Sequence, residues 1–92
     1  MDAATSFRYS LPTRSPATLR AFAFALLSPS PGVAIPSDVA SASGEHRLRV
    51  RSVLLDIAND LEMRGGVLEL EIGTESGLSV EVVRDVLMLA AA

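Results

Sequence analysis

A chain of 92 residues makes at most one small domain, and a domain of that size buries only about 60% of its unfolded surface, which excludes most enzyme folds. Hydrophobic residues are 49% of the chain but aromatic residues only 4%, so the core must be aliphatic. The eight basic residues are all arginine and face eleven acids; the net charge of -3 excludes a global field that attracts nucleic acid, and zero cysteines with one histidine exclude thiolate catalysis, disulfides and multi-ligand Cys or His metal sites.

The first element is a short alternation. Phe7, Tyr9 and Leu11 take turns with Ser6, Arg8 and Ser10, a period-two pattern suited to a strand. Ser15-Pro16 then signals a helix start, because a Ser side chain can accept from unpaired amides and Pro sets φ at the first helical position. The spacing predicts a short apolar helix over 15–27, stopped by Ser-Pro-Ser-Pro-Gly. Residues 1–44 hold all five prolines, eight serines and only five charges, and read as a loosely ordered segment, a linker or a targeting sequence. Ala40-Ser41-Ala42 matches an A-x-A cleavage site, but the apolar run Ala21 to Leu27 is short for a secretory signal; an organelle transit peptide is the better form of that idea. No run approaches the roughly 18–20 apolar residues that span a bilayer.

Residues 45–92 contain no proline and carry five arginines against nine acids. Val50, Leu54, Ile57 and Leu61, with Val53 and Ala58 beside them, make one apolar stripe of a helix over 50–63 that ends at Arg64-Gly65-Gly66. His46 to Arg51 alternates like a strand, and three arginines there would sit at the wrong end of a helix macrodipole. Val67 to Ile72 also alternates, so 67–73 is a short strand or helix, and Ser79 opens a helix over 79–91. If both alternating runs are strands of one sheet, Arg47, Arg49 and Arg51 share a face with Glu69 and Glu71. Two strands are too few for an independent sheet, so either the N-terminal strand joins them or a second chain does. The expected fold is small α+β or mostly α, with 45–92 as the folded module.

Two families share features with Gly66 to Leu87. The stretch Ile72 to Ser79 followed by Val80 to Leu87 resembles the helix-turn-helix of winged-helix regulators, with Gly77 at the turn and Leu78, Val83, Val86 and Leu87 at the packing positions. The resemblance implies a helix leading into Gly77, with 50–61 as the supporting helix. Here, however, Gly73 stands where such helices carry Ala, and Glu81 and Asp85 flank Arg84 on the helix that would face phosphates. The same letters are similar to the first motif of class I S-adenosylmethionine-dependent methyltransferases, which implies cofactor contacts from Glu71, Gly73 and Gly77. With no second strand after Ala92 to reach the ribose, that reading is at best a cofactor-binding fragment.

Other groups read as ordinary: Met63 and Met88 as filler, Gly65 and Gly66 as a helix end, and His46 as an exposed residue near an element start with no catalytic role. The expectation is a non-enzymatic interaction or regulatory module, with helix-turn-helix character as one form of it. It would be cytoplasmic, need no cofactor or metal, and act through self-association or a protein partner rather than nucleic acid. Val82, Val86 and Leu89, with Arg84, are the expected interaction residues.

Overall fold

The computed structural model describes residues 7–64, 67–72 and 78–92, with side chains over 12–63 and 78–92. The chain runs through β1 (Phe7–Pro12), α1 (Pro16–Leu27), α2 (Ser37–Ala40), α3 (Gly44–Arg64), β2 (Val67–Ile72) and α4 (Val80–Ala90), so it is mostly helical with a small antiparallel ribbon.

The two strands pair across 55 residues of sequence. Phe7 stands opposite Ile72, Tyr9 opposite Leu70 and Leu11 opposite Leu68, while Arg8 meets Glu71 and Ser10 meets Glu69. Matching alternation on both strands puts apolar positions with apolar and polar with polar, which is what selects this register over one shifted by a residue. It is therefore the N-terminal strand that joins β2. On the other side of β1 the chain end closes in: Thr13 bridges Ala91, the Arg14 amide donates to the Ala90 carbonyl at 2.9 Å, and the Ala92 amide donates to the Pro12 carbonyl at 3.0 Å.

Helix α1 begins as its Ser-Pro signal requires. Ser15 is extended, its side chain accepts from the Thr18 amide at 3.2 Å, and Pro16 occupies the first turn, where its missing N–H costs nothing. After the helix, Ser30 to Val33 form a turn closed by a 3.2 Å amide-to-carbonyl bond, with Pro31 second and Gly32 third at φ 82°. That is type II geometry, where the third position favours glycine.

Helix α3 starts earlier than its apolar stripe. Ser43 caps it, its hydroxyl accepting from the His46 amide at 3.1 Å and its carbonyl from the Arg47 amide at 3.0 Å. The alternating run 46–51 is thus helical, and Arg47, Arg49 and Arg51 share no strand face with Glu69 and Glu71. The macrodipole penalty is met locally: Arg49 pairs with Glu45 one turn back at 3.0 Å, and Arg47 leaves its own helix to donate to the Leu26 carbonyl at 2.9 Å and the Ala42 carbonyl at 3.2 Å.

The core lies on both sides of α3. Val50, Leu54 and Ala58 are fully buried, meeting Leu19, Ala23 and Leu26 of α1 and Val82, Val83, Val86, Leu89 and Ala90 of α4. Val39 reaches the same cluster from the single turn of α2. Each of these Leu and Val side chains contributes about 1.5–3 kcal/mol when fully buried. The boundary expected at residue 44 does not divide this core, because prolines interrupt the backbone without keeping the helices between them from packing.

Candidate interaction surface

Three side-chain groups stand out against this frame. The first joins α3 to α4. Asp85 is buried on α4, and the His46 ring Nε2 lies 2.7 Å from its Oδ2, with only about a fifth of the His46 side chain exposed. His46 is therefore a tie between helices and not a free surface residue. The other oxygen, Oδ1, has no hydrogen-bond partner; Arg84 Nε lies 3.5 Å from it, an electrostatic contact beyond good hydrogen-bond length. Beside the pair is a cleft of about 250 Å³ lined by Ser43, Glu45, His46, Arg49, Ser79 and Val82. Both serines there are occupied as helix caps, Ser43 for α3 and Ser79 for α4, where its hydroxyl accepts from the Val82 amide at 3.2 Å. Among the described residues no group of three His, Cys, Asp or Glu side chains could hold a metal.

The second group fixes α1 antiparallel to α3. At one end Arg47 holds the Leu26 carbonyl; at the other, Arg20 donates to Asn59 at 2.9 Å and pairs with Glu62. The pairing raises the Arg20 pKa and lowers that of Glu62, with the hydrogen bond between them as the main cause and burial working against it in both.

The third group is the surface this seam leaves outside. Phe24 is 64% exposed, Leu27 49% and Leu48 51%, with Leu55 partly buried alongside. On α3, positions 47, 51, 55, 58 and 62 follow one flank at helical spacing, and its two ends are fixed to α1 by Arg47 and Glu62. Arg51 and Leu55 therefore lie between them along α3. A separate groove of about 540 Å³ runs between α1 and the 32–34 loop, with Arg14 stacked over the Phe22 ring at 5.5 Å.

The expected interaction residues take a different place. Val82, Val86 and Leu89 are buried in the chain's own core, so they offer no docking face; Arg84 is exposed. The amphipathic pattern of α4 marks a buried face, and α3 of the same chain covers it. Phe24, Leu27 and Leu48 were not singled out, although one signal was present: Phe22 and Phe24, two residues apart, cannot face the same side of a helix. Glu71 is at a β2 position opposite Arg8, and Gly73 and Gly77 lie outside the described residues. Val67–Ile72 is a strand where the helix-turn-helix resemblance implies the approach to a helix. No described helix is long and apolar enough to cross a membrane; α3 has the length, at 21 residues, but carries charges throughout.

Comparison with protein-family models, with curated proteins and with solved structures finds no match for this chain.

Proposed function

We propose that the protein is a non-enzymatic interaction module that docks a protein partner on the outer face of α1 and α3. The observation carrying this reading is the exposure of Phe24, Leu27 and Leu48 along one seam of a fold whose core is complete without them. Isolated exposed apolar residues need no explanation, but three large ones shared by a single pair of packed helices offer a partner more apolar surface than any one of them alone. Covering each would contribute about 1–2 kcal/mol, since roughly half of each side chain is already out of water. The acidic balance of the chain disfavours nucleic acid as the partner.

The test compares proteins retained from native extract by the full chain, by Leu48→Asp and by Met88→Asp, a substitution at an exposed position of α4. The reading expects a set lost with Leu48→Asp and kept with Met88→Asp. Equal retention by both variants, with both folded by circular dichroism, removes this face from consideration.

A further inference from the structure

The arginines across this surface are unequal. Among the described side chains, Arg14 has the Phe22 ring, Arg20 has Glu62, Arg47 has two backbone carbonyls, Arg49 has Glu45 and Arg84 has Asp85. Arg51 differs: among the described residues its Nε is buried without an acceptor. It lies on α3 one helical turn from Leu48 and one from Leu55, between the two positions that hold α1, Arg47 and Glu62.

We propose that the α1–α3 face takes a helical segment of a partner protein in which one carboxylate stands between apolar side chains, and that Arg51 pairs with that carboxylate. This rests on the docking face proposed above and names the chemistry of its partner. A planar guanidinium offers five donors in a fixed fork that a carboxylate fills with two parallel bonds. Apolar neighbours on both sides would exclude water from such a pair, making it the centre of the interface rather than a rim contact. Leu48, Arg51 and Leu55 follow one another at about 4.5 and 6 Å along the α3 axis, which matches side chains three or four apart on a partner helix. A second copy of this chain fits the face poorly. A two-fold axis near Phe24 would set the two Arg51 guanidiniums side by side, and Glu62 is already held by Arg20.

The experiment selects phage-displayed random 14-residue peptides on the immobilised full chain, with counter-selection on Phe24→Asp. Retained peptides should carry one Asp or Glu flanked by apolar residues three or four positions away. A synthesised member should lose about tenfold in affinity when its acid becomes the amide, which leaves the protein untouched. Arg51→Gln should cost the same factor, and the two changes together little more than either alone. Peptides that lack an acid yet fail on Phe24→Asp would overturn the role of Arg51 and leave the docking face standing. Peptides indifferent to Phe24→Asp would overturn the face itself, and an empty selection would overturn both.

Discussion

His46 and Asp85, 39 residues apart in sequence, share a 2.7 Å contact that joins the first turn of α3 to the middle of α4. Asp85 is the one buried charged residue of the described core, and His46 is its hydrogen-bond partner. A carboxylate held in that position without a partner bears the full cost of desolvation.

Removing the histidine alone should therefore be worse than removing both groups. His46→Ala is expected to lower unfolding free energy by about 1–3 kcal/mol, read from urea midpoints at constant slope. Adding Asp85→Leu to His46→Leu should recover most of the loss, because neither group is then left buried and unpaired. Strictly additive losses would mean that the contact does not couple the two helices.

The core also makes a claim about the N-terminal half. Leu19 is fully buried against α3, so Leu19→Ala should cost about 2–5 kcal/mol and shift one cooperative transition that α3 and α4 share. Phe24→Ala, one helical turn and a residue further along α1 but exposed, should stay within about 0.5 kcal/mol of the parent. An independent N-terminal unit would give two transitions, with the second insensitive to Leu19→Ala.

Arg20 and Glu62 supply a pH dependence with a definite sign. Folding lowers the Glu62 pKa below its ordinary 4.5, so the folded state favours the ionised form. The stability this adds is present above the ordinary value and is lost as pH falls through the lower, folded one. The difference in urea midpoint between the parent and Glu62→Gln should be constant near neutrality and close as pH drops below about 4.5. Added salt should shrink it as well, since the pair is on the surface. A gap that widens in acid would contradict the pairing. The raised Arg20 pKa adds no further pH dependence, because the guanidinium stays protonated, and the pair's contribution present, throughout the accessible range above the Glu62 titration.

Much of the local structure is legible in the residues alone. Ser15-Pro16 marks the start of α1, Ser79 caps α4, and the alternation of 7, 9 and 11 fits β1, whereas that of 67–72 leaves strand and helix open until β1 pairs with it. These signals are local: a cap, a proline or a period of two acts within a few residues, so the sequence carries them whole. The start of α3 is different. His46 to Arg51 alternates in sequence, and six residues of alternation fit a strand as well as they fit a helix whose long arginines turn to separate neighbours. What decided it was Ser43 as a cap and the Leu26 carbonyl as an acceptor for Arg47, one local and the other 21 residues away.

By itself, then, the sequence determined a small, aliphatic chain, α+β or mostly helical, and where α1 and α4 begin. Only the tertiary structure decided which apolar faces are inside. Val82, Val86 and Leu89 looked like a surface for a partner, yet α3 covers them, while Phe24, Leu27 and Leu48 remain outside. The physical reason is that amphipathic spacing records that a face avoids water, not what covers it. The choice between a neighbouring helix of the same chain and another protein is made by packing between residues far apart in sequence.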